Sequence, residues 1–123
     1  MRALKINALI RNEQDKVIIE FANLAPEEIR TVGVEFVLDF NKWGDLIGIE
    51  VINLKYHTGS EVLDGFKDMA SSSNASALLT YEEASDAFYI KLSEERSTDQ
   101  RVVNGCLVLD SYGRLVKLEA NMS

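Results

Sequence analysis

The sequence predicts an α+β, β-rich fold. Two similar antiparallel β-meanders, related as an internal repeat, are expected to pack as a pseudo-twofold pair joined by one helix. Three features predict it. The chain matches itself at a displacement of 71 residues, so that Asp15-Lys-Val-Ile-Ile-Glu-Phe21 lies over Asp86-Ala-Phe-Tyr-Ile-Lys-Leu92. The strands that precede them, with Leu4, Ile6, Ala8 and Ile10 in one and Ala75, Ala77, Leu79 and Tyr81 in the other, alternate with polar residues, the period of a half-buried strand. Between them lies the one stretch with helical spacing, Val62, Leu63, Phe66 and Met69 or Ala70. The expected organisation is a first repeat over 1–56, a linker helix and polar turn over 57–74, and a second repeat over 75–123, together one compact unit.

Each element has a counterpart. In strand one, Leu4, Ile6, Ala8 and Ile10 alternate with polar residues, as do Ala75, Ala77, Leu79 and Tyr81. Strand two covers 17–21 and 88–92, with Val17, Ile19 and Phe21 in the places of Phe88, Ile90 and Leu92. Strand three covers 29–32 and 100–103. Asn104-Gly105 then sits between Val103 and Cys106 and predicts a hairpin, because both residues tolerate the positive φ of a type I′ turn. Gly33-Val34 is its counterpart. Strand four covers 35–40 and 106–111, with Phe36, Leu38 and Phe40 on one face. Glycine-containing turns follow at 41–45 and at Tyr112-Gly113, and strand five covers 46–53 and 115–120. After Asp39 the displacement falls to 69, which predicts that the first of these turns is two residues longer. Thr58, three residues before Glu61, predicts a capping box for the linker helix, which Ser71-Ser72-Ser73-Asn74 ends. Pro26-Glu27-Glu28-Ile29 marks a further helical turn.

Size explains why a repeat is useful. The chain has 123 residues, 46% of them hydrophobic and 27% charged. A meander of about 45 residues does not readily bury its own apolar face, and a second copy supplies the missing layer. No apolar run approaches the roughly 20 residues of a membrane helix. The first residues carry no signal-peptide core, so a cytoplasmic location is expected. Acidic residues outnumber basic ones by 20 to 13, giving a net charge of −7. That balance repels phosphate backbones and argues against nucleic acid as a partner. It suits a basic protein partner.

The run Tyr81-Glu-Glu-Ala-Ser-Asp86-Ala-Phe-Tyr-Ile-Lys-Leu92 resembles the opening of a short bacterial family, domain of unknown function 2283. The run Leu38-Asp39-Phe-Asn-Lys-Trp-Gly44-Asp-Leu-Ile-Gly-Ile-Glu50-Val51 resembles that family's closing half. The resemblance implies a small antiparallel β-rich fold, here in tandem, and single-copy relatives that reach the same state as homodimers. It implies no activity. Some members sit beside small toxin-like proteins, which implies an antitoxin-like role toward a basic partner.

The chemistry-bearing residues point away from catalysis. His57 is the only histidine and is expected in a surface loop, with no nucleophile or second ligand beside it. Cys106 is the only cysteine, reads as a packed or edge thiol on strand four, and has no base or cation nearby in sequence. Asp39 and Asp110, and Glu50 and Glu119, are expected at equivalent places in the two copies. The Asp residues then cap turns and the Glu residues sit on a solvated strand face; paired, such carboxylates do acid–base work or hold a cation. Among the aromatics, Phe88 is expected in the core, Trp43 at a turn tip, and Tyr89 outward on strand two, with Tyr81 and Tyr112 completing the set. No catalytic, cofactor-binding or metal-binding residue is assigned and no cofactor is expected. The leading reading is a non-enzymatic protein-interaction module, with homodimerisation open. The alternative is a protein that binds a small ligand or ion in the cleft between the repeats.

Overall fold

The computed structural model describes residues 2–21, 30–59, 62–63 and 76–122. Among these residues nine strands form one antiparallel sheet: β1 (Arg2–Ile6), β2 (Ala8–Glu13), β3 (Lys16–Phe21), β4 (Arg30–Phe40), β5 (Leu46–Val51), β6 (Ala77–Glu82), β7 (Ala87–Lys91), β8 (Asp99–Leu109) and β9 (Leu115–Asn121). A short helix, α1 (Leu54–Thr58), follows β5, and Val62 and Leu63 beyond it are helical as well. The order across the sheet is β1-β6-β7-β5-β4-β8-β9-β3-β2. The two end strands, β1 and β2, are consecutive in the chain, with only Asn7 between them. The sheet must therefore curl until its ends meet, and it is nearly closed. Ser76 ties the seam. Its amide donates to Ile6 O at 3.0 Å, and its hydroxyl both donates to Ala8 O and accepts from the Ala8 amide.

Closure turns one side-chain row of each strand inward. Ile19, Phe36, Leu38, Ile49, Leu79, Phe88, Ile90, Leu107, Leu109 and Leu118 are fully buried there. Leu54 of α1 and Val62 plug the same core. Phe21, Leu38, Ile49, Leu109 and Leu118 share this interior as their alternation predicts, while Leu92 is only partly buried against it.

Several expectations are corrected. The strands do not form two meanders facing each other. They interleave in one sheet, with β3 between β2 and β9, and β7 between β6 and β5. Two separate meanders would each leave two open edges, whereas one nearly closed sheet pairs most of those backbone groups. The hairpin at Asn104-Gly105 does not form. Strands three and four of each half are one strand, β4 or β8, and these two pair along all eleven residues from Arg30↔Leu109 to Phe40↔Asp99. Gly105 is not among the glycines with positive φ. It serves a close approach instead: a Cβ there would lie 2.1 Å from Glu119 O and 2.6 Å from Phe36 Cε2. Thr58 is the last residue of α1, its hydroxyl donating to Leu54 O at 2.8 Å. Glu61, Phe66, Met69, Ala70, the linker 71–74 and the Pro26 turn lie outside the described residues.

Two measurements check this architecture. Gly105→Ala should cost about 2–3 kcal/mol in urea unfolding, the range of an overpacked core. Gly33→Ala, on the paired strand with nothing within 4 Å of its added methyl, should stay within about 0.5 kcal/mol. Fragments 1–57 and 74–123 should each be unfolded alone, because β3 and β7 lose a neighbour when the chain is split, and should regain β-sheet circular dichroism on mixing. Cooperative folding of either fragment alone would contradict the interleaved pairing.

Candidate functional site: two matching turns and a groove

The turns after β4 and β8 are built alike. Asn41 begins one: its amide donates to Asp45 O and its carbonyl accepts from the Gly44 amide. Its Oδ1 accepts from the amides of Trp43 (3.0 Å) and Asp45 (2.9 Å). Asp110 begins the other: its amide donates to Arg114 O, its carbonyl accepts from the Gly113 amide, and its Oδ1 accepts from the amides of Tyr112 and Arg114, both at 2.9 Å. Gly44 and Gly113 supply the positive φ that both turns need, 83° and 80°. The turns are therefore equal in length, which corrects the expected two-residue difference. The same bonding forces residue three of each turn outward, and there stand Trp43 and Tyr112, 69% and 74% exposed. Lys42 stacks on Trp43 and Arg114 on Tyr112.

The remaining side-chain atoms explain why one turn has Asn and the other Asp. Asn41 Nδ2 donates to Glu95 Oε2 at 2.7 Å and to Asp45 Oδ2 at 3.4 Å, so its neighbours are carboxylates. Asp110 Oδ2 accepts from Arg114 Nε at 2.7 Å, so its neighbour is a cation. Burial alone would raise the Asp110 pKa. The hydrogen bonds from Arg114 backbone and side chain, the Tyr112 amide and the Arg114 charge outweigh that and hold the carboxyl below its ordinary range.

Asp39 does not occupy the place of Asp110. It lies within β4, on the outer face of the sheet, and is buried. Its Oδ2 accepts from Tyr89 Oη at 2.8 Å and its Oδ1 from Gln100 Nε2 at 2.6 Å. Tyr89 reaches it by crossing Gly48, where a Cβ would lie 1.8 Å from the phenol oxygen. Burial, the bond to Asp39 and the charges of Asp39 and Glu50 push the Tyr89 pKa far up, so the phenol stays protonated. Glu50 and Glu119 sit opposite Tyr89 and Ile18 on β7 and β3. Glu119 lies between Lys16 and Lys117.

Sequence reasoning missed the hub at Asp86. Tyr81, fully buried, donates its hydroxyl to Asp86 Oδ1 at 2.6 Å. The same carboxylate accepts from the Lys55 amide, and Asp86 O accepts from the Leu54 amide. Asp86 has φ 52°, a strained left-handed turn residue that these bonds hold in place. Tyr81 and Asp86 both belong to the run 81–92 that stands out in the sequence, so the motif was visible and its job, seating α1, was not. That job moves His57 from the expected loop onto α1, half-buried and edge-on to Tyr56. A groove of about 580 Å³ opens between α1 and the β8–β9 turn, lined by Arg30, Lys55, Tyr56, His57, Asp110 and Tyr112. A second, of about 720 Å³, lies beside Trp43 with Asn41, Glu95 and Arg96. Cys106 is half-buried in β8, opposite Gly33. Among the described residues no three His, Cys, Asp or Glu side chains gather in a metal-binding group, and no helix is long and apolar enough to cross a membrane.

Compared with known proteins, the chain matches no protein-family model, no curated protein and no solved structure.

The turn chemistry predicts opposite pH responses. The folded-state pKa of Asp110 lies below its unfolded value, so its contribution to stability is complete above the ordinary carboxylate range and is lost as pH falls through it. Asp110→Asn, which sets an amide against Arg114, should cost about 1–2 kcal/mol at pH 7 and flatten the stability curve between about pH 5 and 2. Asn41→Asp, which adds a third carboxylate beside Glu95 and Asp45, should cost a similar amount at pH 7 and recover on acidification. Urea midpoints across pH 2–8 check both.

Proposed function

We propose that the protein is a non-enzymatic binding module, made of two interleaved copies of one β unit, that engages a protein partner through the aromatic tips of its matching turns. The observation that carries this reading is the pair Trp43 and Tyr112, held in solvent at the same position of two turns with the same hydrogen bonds. Exposed Trp and Tyr side chains on rigid supports are the residues that anchor protein interfaces.

The sheet order supports the duplication. Outward from the centre it reads β4, β5, β7, β6, β1 on one side and β8, β9, β3, β2 on the other, so the first four strands on each side correspond and β1 has no counterpart. The β4–β8 ladder is centred on Glu35↔Asn104, residues 69 apart, and the same displacement relates Asn41 to Asp110, Trp43 to Tyr112 and Gly44 to Gly113. The register shifts fall at matching places too, between Asp39 and Phe40 and between Val108 and Leu109. A pseudo-twofold axis through Glu35↔Asn104 accounts for all of these. The copies are of the kind suggested by the likeness to domain of unknown function 2283.

Net charge of −7 favours a basic partner, which fits an antitoxin-like role in a bacterial cytoplasm. A non-enzymatic reading is supported by how the carboxylates are used: Asp39, Asp86 and Asp110 spend their oxygens on internal donors. A second reading, a small-ligand protein, is favoured by the groove between α1 and the β8–β9 turn, which joins the two copies.

Quantitative affinity capture from the native host tests the main reading. Trp43→Ala with Tyr112→Ala should abolish retention of a basic protein while leaving the unfolding free energy within about 0.5 kcal/mol, since both rings are exposed. Equal capture by the wild type and the double variant would refute it.

A further inference from the structure

We propose that the groove between α1 and the β8–β9 turn binds a small aromatic oxyanion, its phosphate or carboxylate held by Arg30, Lys55 and His57 and its ring lying against Tyr56 and Tyr112. This deepens the small-ligand reading. The groove runs against the charge of the molecule as a whole: in a chain with 20 acidic and 13 basic residues, Arg30, Lys55 and His57 converge on one opening. The one acid among its described lining residues is Asp110, which does not neutralise them. Both of its oxygens are taken by the amides of Tyr112 and Arg114 and by the Arg114 guanidinium, and it is almost fully buried.

The donors are also held in place before any ligand arrives. Arg30 gives one N–H to Thr58 O at 2.8 Å, which fixes the guanidinium at the C-terminal end of α1 and leaves the rest of its fork for an oxyanion. Asp86 grips the amides of Leu54 and Lys55 from β6–β7 and so fixes the start of α1. Lys55 and Arg30 enter no ion pair among the described residues. Tyr56 is 85% exposed and Tyr112 74%, so two ring surfaces border the cationic patch. About 580 Å³ is the size of a small-molecule site. Cations beside aromatic faces, on a support that does not have to reorganise, suit a ligand that joins a negative charge to a flat ring.

Amide chemical-shift titrations of the full chain test this with four probes: phenyl phosphate, benzoate, phenol and inorganic phosphate. Phenyl phosphate or benzoate should shift residues 55–59 and 111–113 saturably and bind at least tenfold more tightly than phenol or inorganic phosphate; which of the two is tighter identifies the oxyanion. Lys55→Ala, at an exposed site that leaves its amide bond to Asp86 intact, should weaken the better anion at least fivefold and leave phenol unchanged. Arg30→Lys should weaken it without loss of the native spectrum. Tyr112→Ser should bring its affinity down toward that of inorganic phosphate, and Arg96→Ala, beside the other groove, should change nothing. Anion binding no tighter than phenol, or unmoved by Lys55→Ala, overturns the proposal while the small-ligand reading stands. No saturable shift with any of the four overturns both.

Discussion

The ladder between β4 and β8 is the interaction on which the rest of the molecule depends. It is the one place where the longest strands of the two chain halves meet, and every other strand is added outward from it. Its eleven pairs fix the register of both hairpins, since β5 pairs with β4 and β9 with β8. They also fix which side chains face in, because a slip of one residue would turn Phe36, Leu38, Leu107 and Leu109 out together. The ladder closes tightly only because Gly105 has no side chain. Phe36 and the backbone of Glu119 and Ala120 occupy the space a Cβ would need. A large ring on one strand over a bare backbone on the next fills the interior of a small closed sheet with few voids.

Interleaving adds a second coupling. β3 is held by β2 from its own half and by β9 from the other, and β7 by β6 and β5. Neither half then has a complete sheet to unfold separately. The seam at Asn7 acts in the same direction, because β1 and β2 are one stretch of chain that closes opposite ends of the sheet. These connections make a single cooperative unit the physical expectation for so small a core.

The sequence made the strands legible and hid their partners. Alternation placed Phe36, Leu38, Ile49, Phe88 and Ile90 inward without ambiguity, because period two depends only on local pattern. Pairing depends on which edges meet, and Val17-Ile-Ile presents the same apolar edge to a strand of either half. Asn104-Gly105 was misread for a related reason. A glycine needed for positive φ and a glycine needed for close approach leave the same mark in sequence, and only the Phe36 ring above Gly105 separates them. Identity misled at Asp39 as well. Sliding the chain set Asp39 over Asp110, yet hydrogen bonding sets Asn41 there, since both Asn and Asp offer the oxygen that the turn amides require. The Asp86 hub was legible as a motif alone, because its acceptors serve α1, a helix that a five-residue signal does not announce.

The outer face of the sheet is satisfied by different chemistry on the two sides of the β4–β8 ladder. On the outer face Asp39, Gly48, Tyr89 and Glu50 hold the positions that Val108, Lys117, Ile18 and Glu119 hold on the other side. In the first set the missing side chain of Gly48 opens a path for Tyr89, whose hydroxyl satisfies the buried Asp39 with help from Gln100. In the second, Val108 and Ile18 are apolar and buried, and Lys117 supplies the cation that Glu119 pairs with. Each set is internally consistent, and the first does not accept members of the second one at a time. Valine at Asp39 strands a phenol, and lysine at Gly48 blocks the path that phenol takes. A buried polar network is stable only when every member is satisfied. A network of this kind therefore changes by sets of residues rather than singly, because the partner of each member is another member.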